Sequence, residues 1–451
     1  MAETRRSIVV LGGGLAGLAA GMRADAPVYE AADRFGGAAA SDTVAGFTFD
    51  RGIHVLQTQK QEMLDLMKEV GVEFHLRERS AHIYAFGKYT AYPFQINSTN
   101  LPVLRRIKCV WDFINRDKNP EPTNYEGWIY KSIGRGFATT FLIPYSEKFW
   151  GVHPREMSFE WTGNRVPKAN VMQVLRGAIV SRNTKVGTNA DFRYPTGAGG
   201  YGAVATKLRA RVAELNLSHR ATRVDTASHR VVFNDRIEVP YEVLLNTIPV
   251  PELLRIATDV PAEVSAAAAK LRTNSIMVVN VGVGRANISS KHWVHFPERD
   301  ISFFRISFPH NFSPELAPPG TSSVSAEVAY PTGHPPDAKA LTERVIGDLR
   351  RVGVLRADDP VVATSTRDIK YGYCIYDNDR LAALPIIKRW LRSVDIVPGG
   401  RYGLWTYYWS DEAILSGLKS AEQAQRHLDR LRNAGGKAAA MADEEYEEIA
   451  I

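Results

Sequence analysis

The sequence predicts an α/β protein with three parts: a doubly wound, dinucleotide-binding domain built from separate segments, an inserted helical domain and an antiparallel β-sheet domain. A short β-rich run at 7–11 (SIVVL) leads directly into glycines and a helical pattern. Residues 94–181 are rich in Trp, Phe, Lys and Arg, and their pattern is mostly helical. Residues 275–369 contain short β-branched runs that are typical of an antiparallel sheet, with one helix near 339–352.

The first element of the dinucleotide-binding domain is a strand, a glycine-rich turn and a helix. Residues 12–17 (GGGLAG) fit G-x-G-x-x-G, the Rossmann-like pattern, and precede a helix predicted over 15–23. The first glycine allows the tight turn, the second lets the backbone approach a pyrophosphate, and the third lets the helix pack on the strand. A second predicted strand, 27–30 (PVYE), ends in an acid at about the distance expected for ribose binding. The motif therefore predicts dinucleotide contacts at Gly12, Gly14, Ala16, Gly17 and Glu30.

Composition excludes several classes of protein. The chain has 451 residues, 45% of them hydrophobic, which is ordinary for a globular protein with two or three cores. No apolar run reaches membrane-spanning length, so no membrane partner is expected. Two cysteines do not indicate a disulfide scaffold and are typical of a reducing cytoplasm. The net charge of +7 suits anionic ligands, but without a long basic block or a nucleic-acid-binding motif we expect no nucleic acid.

Further motifs extend the dinucleotide site. Residues 34–37 (RFGG) and 50–54 (DRGIH) follow the ribose-binding acid, and 400–405 (GRYGLW) precede 410–413 (SDEA), which begin a helix. Together these segments resemble the flavin-binding superfamily of amine oxidases, protoporphyrinogen oxidases and UDP-galactopyranose mutases. The resemblance implies FAD as the cofactor, and Ser410 or Asp411 as the cap of the last helix. It also implies a further set of FAD contacts: Arg34, Gly37, Ala38, Gly52, Ile53, His54, Val224, Arg401, Asp411, Glu412 and Ala413.

The middle of the chain resembles the eukaryotic-type UDP-galactopyranose mutases. The matching segments include 92–97 (YPFQIN), 144–150 (PYSEKFW), 160–166 (EWTGNRV), 189–200 (NADFRYPTGAGG) and 293–305 (WVHFPERDISFFR). The resemblance implies an isomerase that interconverts the pyranose and furanose forms of a nucleotide-bound hexose. The family's reaction proceeds through an adduct between the sugar and N5 of reduced FAD, without net oxidation. UDP-galactose is the default substrate, and a GDP- or dTDP-hexose is nearly as well supported.

This chemistry requires fixed positive charge. Breaking the anomeric C–O bond releases a nucleoside diphosphate, and arginine binds such a group best through its planar fork of donors. The resemblance makes Arg165 and Arg305 the pyrophosphate-binding arginines and, with His54 beside the flavin, the catalytic residues. It implies substrate contacts at Tyr92, Gln95, Arg165, Asn189, His295, Arg305, Tyr373 and Tyr407. Taken one by one, these residues are equally compatible with a surface arginine, a core tyrosine or a loop asparagine.

Two positions depart from the family pattern. The family's Gly-Gly-His loop is Gly52-Ile53-His54 here, and isoleucine lacks glycine's freedom at positive φ. His295 stands where the eukaryotic-type enzymes carry a tyrosine. Histidine offers a smaller ring, two nitrogens and a charge that can change near neutral pH, which leaves room for a larger base than uracil. The pair His292 and His295 does not predict a metal site, since no further ligand cluster is evident.

The predicted FAD-binding domain has three segments. The expected partners are a nucleotide sugar and, as reductant of the flavin, NAD(P)H or another donor. An oligomer is possible. One alternative is an FAD-dependent oxidase or desaturase of the amine oxidase type, which needs no pyrophosphate arginines. Another is a flavin-free binding protein like the Rab GDP-dissociation inhibitors. The expected boundaries are 1–93, 186–259 and 395–434 for the FAD-binding domain, 94–185 for the helical domain, 260–394 for the sheet domain and 435–451 for a flexible tail.

Overall fold

The computed structural model describes residues 6–119, 121–163, 169–180 and 191–433. Its strands are β1 (Arg6–Leu11), β2 (Val28–Tyr29), β3 (Ser41–Val44), β4 (Phe47–Asp50), β5 (Phe74–Glu78), β6 (Ala81–Ala85), β7 (Lys88–Ala91), β8 (Asp191–Pro195), β9 (Leu215–Asn216), β10 (Ala221–Asp225), β11 (Arg230–Phe233), β12 (Ile237–Asn246), β13 (Asn274–Val283), β14 (Trp293–His295), β15 (Arg305–Ser307), β16 (Ser322–Pro331), β17 (Val361–Ile369) and β18 (Ile396–Pro398). Its α-helices are α1 (Leu15–Ala24), α2 (Gln61–Glu69), α3 (Val103–Ile114), α4 (Tyr125–Phe137), α5 (Ile143–Trp150), α6 (Val171–Ile179), α7 (Gly202–Arg209), α8 (Val250–Ile256), α9 (Ala262–Ala269), α10 (Ala338–Arg351), α11 (Asn378–Ser393), α12 (Gly400–Gly403) and α13 (Ser410–Asn433).

The first sheet has the strand order β10-β11-β12-β1-β2-β9, and β18 pairs with β12. β1, β2, β12 and β18 are parallel, as the predicted β-α-β opening requires. Successive residues of β1 point to opposite faces, so Val10 packs with α1, α7 and α13 while Val9 packs with α8, α9 and α11. Both faces are therefore covered, which explains why the run at 7–11 is continuously apolar.

The second sheet has the order β17-β13-β16-β15-β14-β6-β7. Its pairs are antiparallel except for the parallel pair of β14 and β6. One face, with Val279, packs on α10, and the other, with Val278, packs on the helical layer. β6 and β7 precede residue 94, so the segment predicted as the first part of the FAD-binding domain contributes strands to both sheets. The division of the chain into domains stays a prediction.

The helical layer contains α3 to α6, with a π-helical turn at Ala138–Leu142 between α4 and α5. Its core is aromatic and includes Phe94, Phe113, Phe137 and Trp150. Residues 94–181 are thus mostly helical where the structure describes them, and the predicted mixed α/β architecture is confirmed. No helix in the described part of the chain is both long enough and apolar enough to cross a membrane.

Candidate active site

The glycine turn between β1 and α1 leaves a helix N-terminus open. Gly12 has φ +100°, and a Cβ on Gly17 would lie 1.8 Å from the carbonyl oxygen of Gly12, so neither position accommodates a side chain. Gly14 precedes α1, has no side-chain cap among the described residues, and shows no described atom within 4 Å of its Cβ position. The first turn of α1 contains no acid. The free N–H groups can therefore meet a pyrophosphate.

Glu30 lies beside this turn. Its Oε2 accepts a hydrogen bond from the amide of Gly13 at 2.7 Å, and its Oε1 accepts one from the amide of Ala32 at 2.8 Å. The amide of Gly36 donates to the carbonyl of Gly13 at 2.8 Å, which brings the second glycine segment against the first. The structure thus brings the predicted dinucleotide contacts together, including Gly37, whose Cβ position is 3.2 Å from the Cα of Gly14.

Arg34 belongs to a cluster of three arginines around one carboxylate. It contacts Asp42 at 2.6 Å, and Arg51 and Arg367 bind the other oxygen of Asp42. Burial by itself would raise the pKa of Asp42, but the hydrogen bond from Arg51 and the charges of the three arginines lower it. Arg51 also donates to the carbonyl of Gly37 at 3.3 Å, so the cluster borders the 3-10 helix Gly37–Ala39, which contains Ala38.

Val224 is fully buried in β10 and pairs with Val231 of β11. Its carbonyl accepts a hydrogen bond from Thr258 at 2.9 Å. None of the described contacts joins Val224 to the glycine turn, so its predicted FAD contact stays a prediction.

The start of α13 lies near the histidine loop. Ser410 bonds to the hydroxyl of Tyr201 at 2.6 Å and to the carbonyl of Val55 at 3.3 Å. α13 begins at Ser410, and Oε2 of Glu412 accepts a hydrogen bond from the amide of Trp409, the residue before the helix, at 2.6 Å. The predicted cap at Ser410 or Asp411 stays a prediction. Asp411 and Glu412 are buried, and Ala413 packs on the core below α1.

His54 is a neutral side chain in this environment. Its ring stacks on Tyr201 with 5.6 Å between centroids, and its Nδ1 lies 3.2 Å from the carbonyl oxygen of Gly52. Burial lowers the pKa of His54 to about 4; the bond to Gly52 opposes this, and the nearby charge of Arg401 adds to it. His54 is therefore a hydrogen-bonding group near neutral pH and not a cation.

Arg305 is held from the side by a buried carboxylate. It lies on β15 between His295 of β14 and Glu327 of β16, directly opposite each. Its Nε and Nη2 both donate to Glu327, Nη2 to Oε1 at 3.0 Å, and Nη2 also contacts the hydroxyl of Tyr373 at 3.4 Å. Glu327 Oε1 accepts in addition from the amide of Ile53 at 3.3 Å. One carboxylate thus joins the predicted pyrophosphate arginine to the histidine loop.

Arg401 lies among three tyrosine rings. Its guanidinium carbon is 4.8 Å from the ring centroid of Tyr373, 5.1 Å from that of Tyr407 and 5.5 Å from that of Tyr402. Two of its nitrogens donate to carbonyls, Nη2 to Gly372 at 2.8 Å and Nη1 to Tyr408 at 3.2 Å. Its Nε is buried and has no hydrogen-bond partner among the described residues. A buried donor of this kind fits an anionic or carbonyl oxygen of a ligand.

His295 is packed among aromatic rings. Its Nδ1 is 2.9 Å from the hydroxyl of Tyr145, and its ring lies 5.8 Å from that of Tyr92. Burial, followed by the charges of Arg305 and Arg79, holds the pKa of His295 well below its usual value. This shift contradicts the expectation that its charge changes near neutral pH, because burial and the two arginine charges disfavour a protonated ring.

Gln95 is buried in the short 3-10 helix Phe94–Ile96. Tyr92 and Pro93 lie between this helix and the end of β7. Arg165 and Asn189 lie outside the described residues, so their predicted contacts stay predictions. The pair His292 and His295 does not converge on a common ligand, since Nδ1 of His292 accepts from the amide of Ser80 at 2.9 Å. Among the described residues, no group of three His, Cys, Asp or Glu side chains is placed to hold a metal ion.

Sequence reasoning missed several residues of this site. Glu327 joins Arg305 to Ile53, Tyr145 contacts His295, and Tyr201 supports His54. Arg79 lies over the ring of Tyr92 at 5.1 Å. Only Glu327 had a signal in the sequence: it is a charged residue inside the otherwise uncharged β-run 322–331, where an acid is rarely buried without a partner.

Comparison with known proteins agrees with this geometry. The sequence model of the family described as flavin-containing amine oxidoreductases matches residues 15–425. A crystal structure of reduced UDP-galactopyranose mutase is 26% identical, with a TM-score of 0.88 over 99% of this chain and 100% of that one. Cyclohexylamine oxidase from Brevibacterium oxydans is 13% identical, with a TM-score of 0.67 over 94% of this chain and 100% of that one. A redesigned putrescine oxidase is 15% identical, with a TM-score of 0.66 over 93% and 99%.

The residues present fit a flavin dinucleotide. The open N-terminus of α1 suits the pyrophosphate, Glu30 suits a ribose, and the buried Nε of Arg401 is available to a ligand oxygen. The predicted cofactor, FAD, is confirmed by the family match. The chain belongs to the family of flavin-containing amine oxidoreductases.

Proposed function

We propose that the protein is an FAD-dependent mutase that interconverts the pyranose and furanose forms of a nucleoside-diphosphate hexose. The observation that carries this proposal is Arg305, whose side chain is 16% exposed and which Glu327 and Tyr373 orient within the same site as Arg401 and the loop of His54. An oxidase of the amine oxidase type has no diphosphate to bind and so does not need such a group. The similarity to reduced UDP-galactopyranose mutase over the whole chain supports the same conclusion.

Arg305 supplies charge to the leaving diphosphate. Glu327 binds the guanidinium along its Nε edge, and Nη1 makes no hydrogen bond to the described residues. The pKa of Arg305 lies well above its usual value: burial alone would lower it, but the negative charge of Glu327 outweighs that effect. The guanidinium therefore stays charged and fixed, and Nη1 can donate to a phosphate oxygen as charge develops on it.

The other residues bind and orient. Tyr373 and Tyr407 present hydroxyl-bearing rings that contact each other, with 5.5 Å between centroids, and both lie beside the Arg401 guanidinium, where they can bind the same diphosphate. His54 contributes a neutral ring that accepts or donates a hydrogen bond at the flavin without adding charge. FAD held at the glycine turn and Glu30 would, in its reduced form, supply a nucleophile for the anomeric carbon.

The nucleotide is the less determined part of the proposal. Tyr92, Gln95 and His295 would surround the base, and UDP is the family default. A neutral histidine in place of tyrosine offers a smaller ring and one nitrogen that is free to accept or donate. A single base contact is worth about 1–3 kcal/mol, enough to change nucleotide preference tenfold or more. GDP- and dTDP-hexoses therefore stand beside UDP-galactose as candidate substrates.

Dithionite-reduced holoprotein should be incubated with UDP-galactose, GDP-hexoses and dTDP-hexoses, and the products analysed for furanose forms. We expect furanose product from at least one of them, no activity in the oxidised protein, and far less than one reductant consumed per product. Turnover by oxidised protein, or one reductant spent per product, would contradict the proposal. Oxygen consumption with an amine or a porphyrinogen would favour the oxidase alternative instead.

A further inference from the structure

Arg79 has hydrogen-bond donors that are all unused within the described part of the chain. Its guanidinium carbon lies 5.1 Å from the centroid of the Tyr92 ring, and its side chain is half-buried. Burial lowers the pKa of Arg79, and among the described residues no carboxylate opposes this shift. A guanidinium carries five N–H donors, and burying donors without acceptors costs free energy. Arg79 is therefore placed to meet acceptors that a ligand brings.

His295 is a second polar group beside the Tyr92 ring. The centroids of these two rings are 5.8 Å apart, and the charge of Arg79 is near enough to contribute to the lowered pKa of His295. The backbone explains why they meet: β14 pairs with β6, and the amide of Tyr92 donates to the carbonyl of Ala81 at 2.9 Å. The side chains of Arg79, Tyr92 and His295 thus form one cluster at this edge of the second sheet.

The hydrogen bond to Tyr145 decides which nitrogen of His295 carries the proton. Burial raises the pKa of Tyr145 well above its usual value, so the phenol keeps its hydrogen. Among the described residues, Nδ1 of His295 at 2.9 Å is the acceptor within reach of that hydrogen. Nδ1 therefore accepts, and the neutral ring carries its own hydrogen on Nε2. Since Nε2 makes no hydrogen bond to the described residues, His295 offers a ligand a fixed donor.

Both free groups are donors, which restricts the ligands that match them. The edge of guanine presents two neighbouring acceptors, O6 and N7, and arginine is the side chain that most often binds this pair. Adenine has an amino group beside its N7, and uracil and thymine have O4 without a second acceptor next to it.

The aromatic surroundings favour a base over a phosphate. A phosphate would also accept from Arg79 and His295, and it has no flat face. The rings of Tyr92 and Tyr145 lie 5.8 Å and 5.0 Å from that of His295, and walls of this kind suit a planar ligand. The diphosphate, moreover, already has Arg305 and Arg401 in the proposed mechanism.

We propose that the base of the nucleotide sugar is guanine and that Arg79, together with His295, reads its O6 and N7. This inference rests on the proposed function, which places Tyr92 and His295 beside the base. It makes Arg79 a specificity-determining residue and a GDP-hexose the substrate class. A bidentate contact between arginine and guanine discriminates against a wrong base by about 5- to 150-fold.

Calorimetric titration of the FAD-loaded, dithionite-reduced protein with five nucleotides tests the proposal. They are GDP, inosine diphosphate, 7-deaza-GDP, ADP and UDP. GDP and inosine diphosphate share O6 and N7, and we expect both to bind roughly tenfold or more tighter than ADP and UDP. 7-deaza-GDP has a C–H group in place of N7, and it should bind about fivefold or more weaker than GDP.

Arg79→Met keeps an unbranched side chain on the Tyr92 ring and removes the donors. In this variant GDP should bind about tenfold or more weaker, close to UDP, while the affinity for UDP stays at the wild-type value. A defect in folding would weaken both nucleotides together. Arg116→Met is the matched control, because Arg116 is also half-buried over an aromatic ring, that of Phe113 at 3.9 Å, and follows α3. It should bind all five nucleotides like wild type.

Wild-type protein that binds UDP as tightly as GDP, or 7-deaza-GDP as tightly as GDP, would overturn the inference without any substitution. So would a preference for GDP that survives in Arg79→Met. Weaker binding of NADPH with unchanged binding of GDP in that variant would assign Arg79 to the 2′-phosphate of the reductant instead. Furanose product from a UDP-hexose in a protein that prefers UDP would overturn this inference and leave the proposed function standing. Absence of binding by all five nucleotides would overturn both.

Discussion

Burial decides the charge of the residues in this site. The pKa values of His54 and His295 are lowered because burial, with the charge of a nearby arginine, disfavours a protonated ring, and at His54 this outweighs the opposing charge of Glu327. Arg305 keeps its charge because Glu327 lies against it, and Glu327 in turn fixes the guanidinium and the amide of Ile53. The site is therefore a set of neutral rings around two positioned guanidiniums, those of Arg305 and Arg401, which suits a dianionic diphosphate.

Replacing Arg305 tests the charge directly. Arg305→Ala should reduce kcat/KM for the active nucleotide sugar by about 2–5 kcal/mol, since a buried charge pair loses one member. Arg305→Lys should recover part of this loss, because lysine restores the charge without the planar fork. Steady-state kinetics of the reduced enzyme give both values.

Arg285→Ala is the matched control for that experiment. Arg285 also binds a buried carboxylate with two nitrogens, that of Asp359, but it lies beyond the end of β13 and outside the site. The Arg285→Ala variant should lower the melting temperature, as Arg305→Ala does, but leave kcat/KM unchanged. Wild-type kcat/KM in Arg305→Ala would remove this arginine from the proposed mechanism.

Glu30 offers a test of the cofactor site that does not depend on the reaction. Glu30→Gln removes the negative charge beside the glycine turn and should weaken FAD binding by roughly 1.5–3 kcal/mol, the value of a charge-assisted hydrogen bond. Calorimetric titration of FAD into the apoprotein measures this change. Glu62 is an exposed acid on α2, and the control variant Glu62→Gln should bind FAD like wild type. Wild-type FAD affinity in Glu30→Gln would mean that the ribose lies elsewhere.

At the scale of elements, the site depends on close packing between segments that are distant in sequence. α1 and α13 are separated by almost 400 residues, yet a Cβ on Gly417 would lie 2.1 Å from the carbonyl oxygen of Ala16. The connection between β14 and β15 is held by hydrogen bonds from a distant helix: Lys148 Nζ of α5 donates to the carbonyls of Phe296, Glu298 and Phe303 at 2.6–2.9 Å. Both contacts fix elements that carry predicted site residues.

Alanine substitutions at two helical glycines should change stability in opposite directions, because Gly417 lies at the contact between α1 and α13 and Gly347 does not. Gly417→Ala should separate the two helices, lower the melting temperature and weaken FAD retention, because backbone atoms cannot yield to the new methyl group. Gly347 is at an exposed position of α10, with no described atom within 4 Å of its Cβ position, so Gly347→Ala should stabilise the protein by about 0.5–1 kcal/mol. Chemical denaturation of both variants measures the difference. Equal stability in the two would show that the helix contact is looser than the structure indicates.

At the scale of the whole molecule, buried titratable groups make stability depend on pH. Burial lowers the pKa of His54, His82 and His292 to about 4 each, against 6.5 in the unfolded chain. Between these values the unfolded chain binds more protons, so acid favours unfolding. Asp50 acts in the opposite direction: burial raises its pKa to about 6 from 3.8, so the folded state binds the additional proton in that window.

Burial also lowers the pKa of His295 and His310, and it raises the pKa of Asp377. Five histidines against two aspartates predict a net loss of stability as the pH falls from about 6.5 to about 4.5. Melting temperatures at half-unit intervals across this range measure the slope. His292→Gln should reduce the slope, because one of the five histidines no longer titrates. His334→Gln, at an exposed position, should leave it unchanged. A melting temperature that is constant or rises on acidification would mean that the folded state protonates these rings.

The sequence by itself determined the local units of this protein. The strand, glycine turn, helix and acid at 7–30 lie within one short segment, so their spacing predicts their geometry, and the helical and β-branched patterns predict the layers. What only the tertiary structure decided is which side chains meet: Glu327 reaches Arg305 through the register of two antiparallel strands, and Tyr201 reaches His54 from another segment. It also decided that His295 is neutral. Contacts of this kind depend on strand register and burial, and neither is contained in the spacing of residues along the chain.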